Sequence, residues 1–147
     1  MVNRKDILKA ILWGIFCLFI FVNILLINVV LHEYGHYAAA NYYDLDPEIK
    51  YNFENITGAG FSLKGVPIAS TSFIDNGDKN EMVVIASMGP FINLIMGLFF
   101  VFLFIIFKDK RLLGEILVIG MIVSLGSFVM NLLPFSGSDG ALIFRLS

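Results

Sequence analysis

The sequence predicts an all-α membrane protein in which three transmembrane helices form the core and a small loop or β-hairpin sits between the first two. Three observations carry that fold class. Hydrophobic residues make up 58% of the 147 and charged residues only 15%, with a mean hydropathy of +0.83, and a water-soluble domain of this size needs more polar surface to cover its core. Three apolar runs reach the roughly 20 residues that cross the hydrocarbon of a bilayer. The sizeable polar stretch, residues 41–81, lies between the first and second of these runs. The length fits one domain, residues 1–147, and not two ordinary ones.

The first span is expected over about residues 11–40. It is apolar from Ile11 to Leu31 and continues, more polar, through HEYGHYAAANYY. Arg4 and Lys5 ahead of it and Ala38, Ala39 and Ala40 behind it resemble a signal peptide. The apolar run is too long for that, however, and a charged block precedes the alanines, so the segment is read as retained. Cys17 lies inside the run; a single thiol forms no internal disulfide and reads as a small packed side chain.

The polar stretch is acidic, with Asp44, Asp46, Glu48, Glu54, Asp75, Asp78 and Glu81 against Lys50, Lys64 and Lys79. Residues 48–53 and 60–70 read as extended, the second punctuated by Gly60, Gly65 and Pro67, which predicts a hairpin or a pair of irregular strands. Asn55-Ile56-Thr57 matches a glycosylation sequon, a triplet too common by chance to carry weight. The second span is expected over residues 82–107 and the third over residues 112–133. Lys108, Asp109, Lys110 and Arg111 between them are enough only for a tight turn. The net charge of −2 offers no basic patch for nucleic acid.

The chemistry concentrates in His32-Glu33-Tyr34-Gly35-His36, which contains both histidines of the chain. Positions i and i+4 of a helix share a face, so both imidazoles can reach one metal ion, and Glu33 stands where a general base must. Zinc suits nitrogen and oxygen donors in a tetrahedral site and lowers the pKa of a bound water to about 7. Ionisable groups in a membrane segment cost a few kcal/mol each by insertion scales, which makes three within five residues a functional signal.

A catalytic zinc takes three protein ligands, and Asp109, Glu115 and Asp139 are the acidic candidates in or near the spans. If each span crosses once, the HEYGH end of the first and the far end of the third lie on one side. Asp109 and Glu115 are then stranded about 30 Å away, which leaves Asp139. Pro134 ends the third helix and Gly137 and Gly140 permit tight turns around that carboxylate. On the second span, Gly89, Pro90 and Asn93 lie about 10–17 Å in from Met82 on the same side. Gly-Pro frees backbone groups that demand local compensation. Asn93 reads either as a donor to substrate or oxyanion or as an interhelical packing group.

With HExxH at His32 to His36, GPxxN at Gly89 to Asn93 and NxxPxxxxDG from Asn131 to Gly140, in that order on three successive apolar segments, the chain resembles the site-2 protease family of intramembrane zinc metalloproteases, peptidase family M50. The resemblance implies zinc held by His32, His36 and Asp139, Glu33 as the base, and support of substrate or oxyanion by Gly89, Pro90, Asn93 and Asn131. It further implies cleavage of a transmembrane protein within or near the bilayer, with residues 41–81 presenting the substrate in extended form. Two features depart from the family pattern: Ser138 stands where a bulky apolar residue often precedes the aspartate, and the chain stops seven residues after Gly140. That length has no room for a separate PDZ-like or CBS-like domain, which makes the chain either a minimal member or a fragment.

The rival functions are an inactive zinc-binding chaperone or regulatory protein of the same fold, a zinc hydrolase acting on a lipid or small amide, and a metal transporter. Retention of Glu33 speaks against the first. A transporter wants ionisable groups at several depths, whereas these cluster at one level. Oligomeric state has no signature. For orientation, Arg4, Lys5, Lys9, Lys108, Lys110 and Arg111 lie on one side, and Lys50, Lys64, Lys79 and Arg145 are spread over the other. Basic residues close to span ends favour a cytoplasmic amino terminus, while the family resemblance implies an active site open to the cytosol; the close-set early basic residues and the acidic loop tip the balance to a cytoplasmic amino terminus.

Overall fold

The computed structural model describes residues 3–51 and 69–146. Among these residues four helices and two strands follow in the order α1 (Arg4–Tyr42), β1 (Glu48–Tyr51), β2 (Ala69–Ser72), α2 (Lys79–Phe107), α3 (Arg111–Leu132) and α4 (Asp139–Leu146). The first three helices are each long and apolar enough to cross a membrane, in agreement with the expected fold class. Their ends differ from the expected spans in ways that caps explain. Asn3 accepts from Lys5 N and starts α1 seven residues early. Asp78 accepts from the backbone N–H groups of Asn80 and Glu81 and starts α2 at Lys79 rather than 82. Helix α3 stops at Leu132, ahead of Pro134, whose ring cannot continue it.

The strands pair antiparallel, Glu48 with Ser72 through Tyr51 with Ala69. They fall at the start of the expected first strand and at and beyond the end of the second; residues 52–68, with the sequon and most of the second stretch, lie outside the described residues. Between α1 and β1 the chain reverses through Asp44 and Asp46, both at positive φ, a conformation aspartate tolerates better than most residues. The reversal tucks Leu45 into a small core with Ala39, Ala40 and Ile85. Ile74 N donates to Leu45 O, which ties the chain just past β2 to this reversal.

Helix α2 packs between α1 and α3, and small residues set the spacing. A Cβ on Gly120 would lie 2.6 Å from Phe100 Cδ1, and one on Gly35 only 2.7 Å from Met88 O. Close approach of this kind substitutes for the hydrophobic drive that lipid does not supply. Deeper in the bundle, Asn28 Nδ2 donates to Ser124 Oγ at 2.7 Å, both side chains buried. The short helix α4, which the sequence does not announce, folds back on the end of α3. A Cβ on Gly140 would strike the Leu132 carbonyl, so glycine after the aspartate is what permits the return.

Candidate metal centre

Helix α1 carries His32 and His36 on one face, both buried, at 8% and 7% exposure. Their rings meet edge to face with centroids 4.7 Å apart and their Nε2 atoms 3.1 Å apart. Asp139, the first residue of α4, brings its two oxygens to them: Oδ2 lies 3.1 Å from His32 Nε2 and Oδ1 3.2 Å from His36 Nε2. The approach is fixed by Ser138, whose hydroxyl bonds the carbonyls of Leu133 and Phe135 and accepts from Ala141 N. It caps α4, which gives a local reason for a small polar residue where the family often has a bulky apolar one.

The donor chemistry of this cluster fits a metal ion. His36 Nδ1 lies 2.7 Å from the Ile85 carbonyl oxygen, which can only accept, so Nδ1 carries the proton and in the neutral ring Nε2 presents a lone pair. That lone pair faces a carboxylate and a second imidazole. Electron-pair donors aimed at one point repel unless a cation lies between them. Donors at zinc–ligand distances around a tetrahedral ion sit about 3.3 Å apart, close to the separations found. Among the described residues, His32, His36 and Asp139 are the three His, Cys, Asp or Glu side chains grouped closely enough to hold an ion.

The other predicted site residues surround this cluster. Gly89 lies directly against the imidazoles at their Cε1 edges: a Cβ there would clash with His36 Nε2 and lie 2.7 Å from His32 Cε1. Pro90 is fully buried beside it. Asn93 is 1% exposed, and its side-chain amide lies 3.0 Å from His32 Nδ1, so it is engaged with the imidazole behind the site. Glu33 and Asn131 line a cavity of about 390 Å³ together with His32, His36, Asn93 and Asp139. Glu115 pairs instead with Arg111 at 3.2 Å, outside the cluster, and Asp109 is likewise no part of it.

Three participants have no signal in the sequence. Thr71 on β2 bonds both the Glu33 backbone oxygen, at 3.0 Å, and the Glu33 carboxylate, at 2.9 Å. Ile85 contributes only its carbonyl, which any residue possesses. Ser127, one turn before Asn131 on α3, adds a hydroxyl to the cavity wall. Of these, Thr71 lies one residue past the stretch 60–70 that the sequence marks as extended; nothing in its residue type selects it.

A family model described as peptidase family M50 matches residues 20–116. The matched stretch contains His32, Glu33, His36, Gly89, Pro90 and Asn93 and ends before Asn131 and Asp139. No curated protein and no solved structure matches the chain.

Proposed function

This chain belongs to peptidase family M50, the site-2 protease family, and on that premise we propose that residues 1–147 form one membrane-embedded zinc metalloprotease domain that hydrolyses a peptide bond of a membrane protein. The observation that carries the proposal is the meeting of His32, His36 and Asp139 from the two ends of the chain beside Glu33 in one cavity. His32, His36 and Asp139 are assigned as the zinc ligands. Zinc, when bound, supplies Lewis acidity, polarising the scissile carbonyl and lowering the pKa of the attacking water.

Glu33 is assigned as the general base: it takes the proton that the attacking water gives up and delivers it to the departing amide nitrogen as the C–N bond breaks. Thr71 holds that carboxylate against α1, so Glu33 enters the reaction already oriented. Ala69, Ser70 and Thr71 of β2 line the same cavity, which favours an extended substrate lying beside the strand, with Asn131 as a polar contact for its backbone. Gly89 and Pro90 are assigned to support the site by shape, Gly89 by leaving room for the two imidazoles. From Lys9 to His32 the helix rises about 35 Å, slightly more than the hydrocarbon thickness. A helix anchored by its basic end therefore carries the imidazoles to the opposite interface, consistent with cleavage in or near the bilayer by a multi-pass integral membrane protein.

The second reading is an inactive zinc-binding chaperone or regulatory protein of the same fold. Glu33 weighs against it, because metal binding alone has no use for a carboxylate held in the cavity. Co-expression with a panel of single-span membrane proteins separates the two. Wild type is expected to yield cleavage products and Glu33→Gln to lose them, by about a hundredfold or more, with metal content unchanged. Near wild-type cleavage by Glu33→Gln would overturn the mechanism. The basic residues at the span ends support a cytoplasmic amino terminus; reporter fusions at Asn76 and after Lys110 should then read external and cytoplasmic respectively, and the reverse pattern replaces that orientation with its opposite.

A further inference from the structure

We propose that Asn93 is a positioning residue for His32: its side-chain amide keeps the proton on His32 Nδ1 and so leaves Nε2 free to bind metal. The inference rests on His32 and His36 being ligands and deepens that reading. It also gives Asn93 a different task from contacting substrate or oxyanion.

The starting point is a stripe on α2. Ile85, Gly89 and Asn93 recur every four residues, so they share one face of the helix, and all three are buried. This face meets both imidazoles. Gly89 leaves space that any Cβ would fill. Four residues to either side, one partner faces each ring: the Ile85 carbonyl at 2.7 Å from His36 Nδ1 and the Asn93 amide at 3.0 Å from His32 Nδ1. The spacing repeats that of the histidines themselves, which are also four apart on α1. Each ring thus has Nε2 turned to Asp139 and Nδ1 turned to α2.

For His36 the carbonyl settles the proton, since it has no hydrogen to give. For His32 the amide has two ends. With Nδ2 toward the ring, the amide donates to Nδ1 and the proton is driven to Nε2, where a metal must bind. That arrangement also leaves Asn93 Oδ1 buried with no partner among the described residues, a costly condition. Turned over, the oxygen accepts Nδ1–H and His32 Nε2 becomes equivalent to His36 Nε2, while Nδ2 takes the place that Oδ1 leaves. One end of the amide is without a partner among the described residues either way, and the need for a free Nε2 on His32 is what selects the turned-over form. The two ends of an amide are told apart only by such bonding. Metal-binding histidines commonly donate the other ring N–H to an oxygen in this way, which orients the ring and raises its basicity.

The test is metal affinity of the full chain in detergent micelles, measured with zinc and with cobalt(II) by chelator competition, and the cobalt absorption spectrum as a report on the ligand set. Asn93→Leu keeps the volume and removes the acceptor; Asn93→Asp keeps an oxygen toward the ring whichever way it turns. Asn93→Leu is expected to bind metal about 10–100-fold more weakly, while Asn93→Asp stays within about threefold of wild type and keeps its cobalt spectrum. A donor to substrate or oxyanion predicts the opposite pattern, with metal affinity untouched in Asn93→Leu and activity lost in both. If Asn93→Leu does not accumulate, Asn93→Ala takes its place: a loss of metal affinity of about tenfold or more supports the role, and affinity within about threefold of wild type overturns it. A wild type that binds no metal sinks the metalloprotease reading and this role with it. A wild type that binds, with Asn93→Leu binding equally well, sinks the positioning role alone.

Discussion

The two halves of α1 have the same helical backbone and opposite surroundings. Residues 4–16 are exposed without exception, with Leu8, Leu12, Ile15, Leu18 and Phe19 offering broad apolar surface to whatever surrounds the bundle. From Asn28 onward the helix is embedded, and Asn28, His32, Gly35, His36, Ala39 and Ala40 are buried. Two glycines measure the difference. A Cβ added at Gly14 meets nothing within 4 Å, whereas one at Gly35 lies 2.7 Å from Met88 O and 2.9 Å from Ile92 Cγ1. In the first half, apolar composition is sufficient, because lipid accepts any hydrophobic shape. In the second half, shape decides, since a neighbouring helix and a strand have already taken the space.

The largest expected effect on this contrast is at Gly35. Gly35→Ala pushes α1 off α2 at the backbone of Met88 and is expected to cost about 1–3 kcal/mol, as overpacking does, with lower thermal stability in detergent and weaker metal retention. An alanine variant as stable as wild type would mean that the two helices are less closely engaged than the Met88 contact requires. Next in size is Thr71, which ties the embedded half to β2 through Glu33. Thr71→Val should reduce turnover by about tenfold, in line with a hydrogen bond to a charged group, at unchanged metal affinity, and Thr71→Ser should restore it. Equal turnover in the valine variant would show that Glu33 needs no such support. Smallest is Gly14→Ala, expected within about 0.5 kcal/mol of wild type and without effect on cleavage. A substantial loss there would reveal a protein partner on the exposed half and erase the contrast between the two.

Much of the fold is legible along the chain, and the misses have local causes. The apolar runs declare three long helices, and Pro134 ends α3 close to where its ring demands. The early start of α2 was readable too: Asp78 followed three residues later by Glu81 is the pattern of a helix cap, with Glu81 here accepting from Asn76 rather than from the cap backbone. Helix α4 is another matter. Eight residues with one turn of apolar side chains resemble any loop, and only packing against α2 and α3 gives them a reason to be helical.

For the site, the sequence by itself determined what repeats on one element. Two histidines four apart must share a face of α1, and Ile85, Gly89 and Asn93 must share a face of α2, because the helix turns by a fixed angle per residue. Alternation of sides across the membrane likewise singles out Asp139 among the acidic groups. Tertiary structure alone decided which groups meet across elements. His36 finds the carbonyl of Ile85, 49 residues away, and His32 finds Asn93, 61 residues away. Thr71 reaches Glu33 across 38. A backbone carbonyl has no residue type and a threonine has no motif, so neither leaves a mark in the order of amino acids. Their partnership with the imidazoles and Glu33 exists only where helix spacing, set by glycines such as Gly35 and Gly89, brings donor and acceptor within about 3 Å of one another.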